Sequence, residues 1–280
     1  MKIALVLQGG GSRGIFTSGI LDCLLDEGIS FDKVFAVSAG GLNAMNFISK
    51  QKGRSRIATK MTFKSRSFKS ITNVVTKHTF VDFDYYFNKL EKKLPFDKFT
   101  YETNPTTYCV VATSLSTGKA HYFIKGETPD FNRCIKASAS IPFVAKPVPI
   151  YDDLFLDGGD SDPVPFKKAL EEGFDKIVVV TTRPVGFRKT PNQNRNYKRL
   201  VKLAFSNYPN YEKALINSHK NYNKIFDELE KPNDKIMVIS PSEQINLKHL
   251  ETDDDKLDYY YNLGIKDFNS IKEKLAKFIS

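Results

Sequence analysis

The stretch Phe35-Ala36-Val37-Ser38-Ala39-Gly40-Gly41-Leu42 decides the fold. Residues 33–37 form an apolar run of the length of a buried strand, and Leu42, Met45, Asn46 and Ser49 then fall on one face of a helix. Strand passes to helix with almost no loop, so Ser38 stands at the apex of a sharp turn in a strained, exposed position. Such a turn needs small neighbours for helix and strand to pack closely, and Ala36, Ala39, Gly40 and Gly41 are small. The free N–H groups of the helix point back at the apex, where the Ala39 N–H is placed to hold a developing oxyanion. This is the pattern of a nucleophile elbow, G-x-S-x-G, with Ala36 where the first glycine is expected. A serine in a turn also serves to cap a helix, so the weight of the motif rests on what else the chain supplies.

Residues 2–7 predict a first buried strand, followed by Gln8-Gly9-Gly10-Gly11-Ser12-Arg13-Gly14 and a helix through Ile15, Gly19, Leu21, Leu24 and Leu25. Gly9, Gly11 and Gly14 satisfy G-x-G-x-x-G, which raises a dinucleotide site and an oxidoreductase. That fingerprint also requires an acidic residue at the end of the next strand to hold the ribose. The next strand ends at Ser38, and Asp32 lies at its other end. The same glycines let backbone N–H groups converge on negative charge, as an acyl-transfer site requires. With the first two strands adjacent, the loop and Ser38 emerge at one edge of the sheet, where Arg13 would add positive charge, although a surface arginine is an equally ordinary reading.

Further along, residues 51–104 are less regular. They carry a basic segment in which Phe68, Ile71 and Val75 fall at helical spacing, then the aromatic run Phe80, Phe83, Tyr85, Tyr86 and Phe87. An amphipathic cap over the site, a membrane-facing surface and ordinary packing against the sheet all fit this pattern. Residues 107–113 and 119–124 predict a hairpin, and a short helix leads into Ala137-Ser138-Ala139-Ser140-Ile141-Pro142. Asp157 ends an apolar strand with Gly158 and Gly159 behind it, a position from which a buried carboxylate can meet a serine of a neighbouring strand, although Asp-Gly is also an ordinary turn. The spacing of Asp157, Asp160 and Asp162 is not that of a calcium loop. A helix at 165–173, a central strand at 176–182, helices within 198–229, a last strand at 235–239 and a final helix from 256, interrupted near Gly264, complete the pattern, with Asp253, Asp254 and Asp255 as an acidic first turn. The histidines His78, His121, His219 and His249 occupy no catalytic context in the sequence.

Composition sets the class. The 280 residues, 41% of them hydrophobic, are enough for a sizeable core. No apolar run is long enough to span a membrane, and residues 2–7 break into glycines too early for a secretory signal, so a cytoplasmic protein is expected. Cys23, Cys109 and Cys134 form no metal or redox pair and are expected to be buried thiols. The net charge of +10 is concentrated in two acid-free stretches, residues 33–81 and 176–211, which suit an anionic lipid surface, a nucleic acid or a merely solvated face.

Taken in order, Gly9 to Gly14, Ala36 to Gly40, the Ala-Ser-Ala-Ser-Ile-Pro segment, Asp157-Gly158-Gly159 and Asp162-Pro163-Val164-Pro165 resemble the patatin-like phospholipase family over roughly residues 1–185. The resemblance implies a three-layer α/β/α fold with a mostly parallel sheet, and a serine acyl hydrolase working through a Ser-Asp dyad without a metal or organic cofactor. It implies Ser38 as nucleophile, Asp157 as base, Gly9, Gly10 and Gly11 with Ala39 as the oxyanion hole, and Arg13 as an anion-binding residue. The expected organisation is a catalytic core at 1–185 containing a basic helical cap at about 50–104, with a mainly helical part with one strand at 186–280 packed on it. The expected partner is a lipid ester, with peripheral contact to an anionic membrane through residues 50–77 and 183–202 and no nucleic acid.

Overall fold

Short strands that are apolar on both faces are stable only when helices cover both sides of the sheet. The computed structural model, which describes residues 1–70 and 81–280, has this arrangement. In chain order its elements are β1 (Ile3–Leu7), α1 (Gly14–Asp26), β2 (Lys33–Val37), α2 (Ala39–Ile48), α3 (Arg54–Lys64), α4 (Lys98–Thr103), β3 (Thr107–Ser114), β4 (Ala120–Ile124), α5 (Phe131–Ser138), β5 (Val148–Ile150), β6 (Asp153–Asp157), α6 (Phe166–Glu171), β7 (Lys176–Val180), α7 (Arg195–Ala204), α8 (Pro209–Leu229), β8 (Ile236–Ile239) and α9 (Asp254–Ile279).

The eight strands form one sheet in the order β5-β6-β3-β2-β1-β7-β8, with β4 also paired to β3. The run from β3 to β8 is parallel, and β4, β5 and β6 add antiparallel pairings. Side chains alternate along each strand, so Leu5 and Leu7 join one core with Phe16, Met45, Ile135 and Phe268, while Ala4 and Val6 join the other with Phe166, Ile225 and Phe226. The layers are therefore α1, α2, α5 and α9 on one face and α6 and α8 on the other. This is the three-layer α/β/α fold expected from the sequence. β8, α8 and α9 from the C-terminal part belong to the same sheet and the same two cores.

One expectation requires correction. α9 runs unbroken through Gly264, where an interruption was expected. This glycine is a crossing point: a Cβ at Gly264 would lie 2.3 Å from the Phe16 carbonyl oxygen, and one at Gly19 would lie 2.3 Å from that of Tyr261. Two glycines thus let the backbones of α1 and α9 touch. Phe68 itself sits in a turn before an isolated bridge between Lys69 and Val81. Ile71, Val74, Val75, Lys77, His78 and Phe80 lie outside the described residues. The described part of 50–104 is helical at α3 and α4, with a π turn at Tyr85–Lys89, and Phe68, Val81, Phe83, Tyr85, Tyr86 and Leu90 form a small core of their own.

The basic stretch 50–77 has a structural use in the part described. Lys52 pairs with Asp26, Arg56 and Lys60 with Asp258, and Lys64 with Asp254, so α3 is tied to α1 and α9. The three cysteines are free and buried, as expected.

The crossing of α1 and α9 gives a direct test. Gly264→Ala improves intrinsic helix propensity but forces the two backbones apart, and it is expected to lower unfolding stability by about 1–3 kcal/mol in chemical denaturation.

Candidate active site

The site is created by two strands that approach each other head-on along the same side of β3. β4 covers one side of β3 across Cys109 to Thr113, and β2 runs parallel on the other side until Val37 stands opposite Val111. β6 descends antiparallel on that second side and ends with Asp157 opposite Ala112. The residue after β2 is Ser38, and its Oγ donates to Asp157 Oδ2 at 2.7 Å.

Ser38 holds φ 53° and ψ −123°, a conformation costly for a non-glycine residue. It is maintained from both sides. The Ser38 N–H donates to Ser138 Oγ at 2.8 Å, and the Asp157 N–H donates to the Ser140 carbonyl at 2.9 Å. One segment, Ala137 to Pro142, thus fixes the backbone of both members of the pair, a role invisible in the sequence. The Gly159 N–H donates to Asp157 Oδ1 at 2.8 Å, and Thr113 Oγ1 donates to the Asp157 carbonyl at 2.7 Å. Both oxygens of the carboxylate are therefore directed.

Ala36 is an interior residue of β2, fully buried, and its methyl belongs to the core, so the departure from the first motif glycine is absorbed. The glycine that the elbow needs is Gly40, where a Cβ would lie 2.7 Å from the Leu7 carbonyl oxygen. Gly9 is as tightly constrained, since its Cβ would lie 2.8 Å from that of Ser38. β1 and β2 are neighbours, so the glycine loop and Ser38 share one edge of the sheet as expected. The N–H groups of Gly9, Gly10, Gly11 and Ala39 donate to no acceptor among the described residues.

Burial holds the Asp157 carboxyl up at about 6, against the hydrogen bonds from Ser38 and Gly159 and the charge of Lys189. The neighbouring Asp160 is raised further, to about 7, by burial and by the charge of Asp157, with its Oδ2 accepting from Tyr211 at 2.7 Å. Its place beside Asp157 was not legible in the spacing.

Two cavities meet at Ser38. The first, about 50 Å³, is apolar and walled by Leu42, Phe68, Val81, Phe83, Ile141 and Leu250. The second, about 220 Å³, is polar and contains Arg13, Asp157, Asp160, Arg183, Lys189 and Tyr222. His249 lines both cavities, which corrects the expectation that no histidine lies near the chemistry. Although His249 is exposed overall, desolvation of its ring against the glycine loop, together with Arg13 and Lys189, holds it down at about 4, so it is neutral at neutral pH. Its carbonyl accepts from the Ser12 N–H and from Ser12 Oγ, both at 2.9 Å, and Ser12 Oγ accepts from the Glu251 N–H at 2.7 Å. A C-terminal segment thus clamps the glycine loop. Among the described residues no group of acidic, cysteine or histidine side chains is arranged to hold a metal ion.

A family model described as patatin-like phospholipase matches residues 5–170. The chain belongs to the patatin-like phospholipase family. A second model, of a domain of unknown function (DUF6363), matches residues 208–280, the region that supplies Tyr211, Tyr222 and His249. Among similar proteins, the uncharacterized protein YjjU of Escherichia coli is 29% identical over 244 residues, covering 85% of this chain and 67% of that protein. Lysophospholipase NTE1 of Meyerozyma guilliermondii is 30% identical over 198 residues, covering 68% of this chain but 13% of its own. Among solved structures, VipD from Legionella pneumophila superposes with a TM-score of 0.48 at 14% identity, covering 98% of this chain and 67% of that one. Patatin-like membership supports lipid hydrolysis as the broad activity.

The clamp on the glycine loop is testable. Ser12→Ala leaves the Glu251 N–H without its acceptor and is expected to cost about 1–3 kcal/mol of stability, and to slow fluorophosphonate labelling of Ser38.

Proposed function

We propose that this protein is a serine lipid acyl hydrolase of the phospholipase A or lysophospholipase kind, cleaving carboxylic esters through a Ser38–Asp157 dyad. The observation that carries this reading is the 2.7 Å hydrogen bond from Ser38 Oγ to Asp157 Oδ2 at the junction of an apolar and a cationic cavity.

In this mechanism Ser38 Oγ attacks the ester carbonyl carbon while its proton passes to Asp157 Oδ2. The carbonyl oxygen becomes an oxyanion held by N–H groups of Gly9, Gly10 and Gly11 with Ala39. Collapse of the tetrahedral intermediate breaks the bond to the alcohol, which leaves with the proton from Asp157, and the acyl group stays on Ser38. Water then attacks the acyl-enzyme, gives one proton to Asp157, and the fatty acid departs as Ser38 regains that proton. The chemistry draws on no metal or organic cofactor. The apolar cavity is suited to the acyl chain, because Leu42, Phe68 and Phe83 offer it only hydrocarbon. Arg13, beside the loop, lies on the other side with the polar cavity.

Membrane contact is proposed for α7, where Leu200 and Leu203 are exposed at 48% and 79% beside the exposed Lys198, Arg199 and Lys202. No helix among the described residues is long and apolar enough to cross a membrane.

Ser38→Ala is expected to abolish fatty-acid release from a lipid panel read by mass spectrometry, and Asp157→Asn to lower kcat by about 10²–10⁴-fold. Activity retained by Ser38→Ala would sink the reading. Because Asp157 serves as base only when ionised and is held at about 6, kcat/KM is expected to fall as the pH drops through about 6 and to level off above it. Leu203→Glu is expected to weaken sedimentation with anionic vesicles by about tenfold.

A further inference from the structure

The polar cavity beside Ser38 holds three cations from separate parts of the chain: Arg13 from the glycine loop, Arg183 after β7, and Lys189 from the segment before α7. Among the described residues none of the three is in an ion pair, whereas the adjacent Arg188 is paired with both Asp227 and Glu230. Aromatic rings hold two of them in place. The Arg183 guanidinium carbon lies 4.5 Å from the centre of the Phe187 ring, and Lys189 Nζ lies 4.5 Å from that of Tyr222. Arg13 Nε is buried and has no hydrogen-bond partner among the described residues.

Gathering unpaired cations in a recess is unfavourable, and their mutual effect is visible: burial and Arg183 lower Arg13 to about 10, and burial lowers Arg183 as well. The two carboxyls in the same cavity relieve this only in part, since their charge favours Lys189 but neither forms an ion pair with any of the three among the described residues. Asp157 is engaged by Ser38 and Gly159, and Asp160 by Tyr211. Burial raises them to about 6 and about 7, so of the two Asp157 carries most of the negative charge near neutral pH, and its oxygens are already occupied. What remains is a set of N–H donors, two of them guanidinium forks, whose side chains meet no acceptor among the described residues. A tetrahedral oxyanion with several acceptor oxygens matches such a set.

We infer that Arg13, Arg183 and Lys189 form a subsite for a phosphate-bearing group, placed to receive the alcohol side of the ester while the acyl chain enters the opposite, apolar cavity. The assignment to a lipid head group rests on the hydrolase reading. The assignment to phosphate does not. Since Tyr222 belongs to the region matched by the domain of unknown function, that region would then help form the wall that selects the head group.

The test is calorimetric titration of the full chain with sn-glycerol 3-phosphate, inorganic phosphate and glycerol. Binding of glycerol 3-phosphate is expected, with Arg183→Gln and Lys189→Gln each weakening it by about tenfold, the loss of one charge-assisted hydrogen bond. The exposed Lys274 on α9 lies outside the site, and Lys274→Gln is expected to bind like the parent. Glycerol 3-phosphate binding tighter than inorganic phosphate assigns the subsite to a lipid head group, and equal binding assigns it to free phosphate. Absence of binding by either, or binding unchanged in both variants, would overturn the proposal. Lys189 is exposed, so its variant keeps the test open if Arg183→Gln fails to fold.

A second measurement separates this inference from the hydrolase reading. The ratio of kcat/KM for a lysophosphatidate over a monoacylglycerol of the same chain, both in neutral detergent, is expected to fall about tenfold in Lys189→Gln. Ser38 labelling by a fluorophosphonate with an unchanged ratio would remove the subsite and keep the hydrolase. Phosphate binding without labelling would do the reverse.

Discussion

The structure depends on a shared strand edge. β2 and β6 occupy the same side of β3 and run toward each other, and the space between Val37 and Asp157 is closed by the hydrogen bond from Ser38. A serine and an aspartate 119 residues apart in sequence are brought together by strand pairing rather than by a flexible loop. Main-chain ladders position side chains to within tenths of an ångström, which a proton transfer between two oxygens needs. The left-handed backbone at Ser38, which costs about 1–3 kcal/mol, is stable because Ser138 and the helix start of α2 leave it no alternative.

The region around this junction divides by polarity. Aromatic and aliphatic side chains from the described part of residues 50–104 form a small core whose inner surface is the apolar cavity. On the other side, the glycine loop, the end of β7 and α8 build a polar cavity with cations at its wall. In the proposed reading, an ester with one hydrocarbon arm and one charged arm would lie across Ser38 in a single orientation. The basic character of the chain therefore has two different meanings. In α3 and just before it the cations pair with Asp26, Asp254 and Asp258 and join helices, while Arg13 and Arg183 form no such ion pair among the described residues. Net charge alone does not separate these uses, because it carries no information about which acids lie opposite.

The C-terminal part is more than a cover. Tyr211 holds Asp160, Tyr222 meets Gln8 and Lys189, and the backbone at His249 and Glu251 holds Ser12. The contacts to Gln8 and Ser12 span more than 200 residues of chain, and none of the set has a local signature. His249 illustrates the point: isolated in sequence, it lies against Gly11 because the loop that carries it crosses the glycine loop.

Local patterns were enough for much of the molecule. The apolar runs ending at Leu7 and Val37, each followed by small residues and a helical period, determined strand, turn and helix at both places, because those features depend on neighbours only a few positions away. They also marked Ser38 and the glycine loop, whereas Asp157 stood out as a partner only through the order of motifs that resembles the family. Gly264 shows where such reading stops, since a glycine that breaks an isolated helix here permits a backbone crossing. Only the tertiary structure decided that Ser138 and Ser140 fix the two ends of the pair, that Asp160 and His249 stand beside it, and that Arg183 and Lys189 turn toward Arg13. The physical reason is one of range. Backbone conformation is set by nearby residues, whereas burial, charge pairing and the direction of a side chain are set by whatever the folded chain brings opposite it.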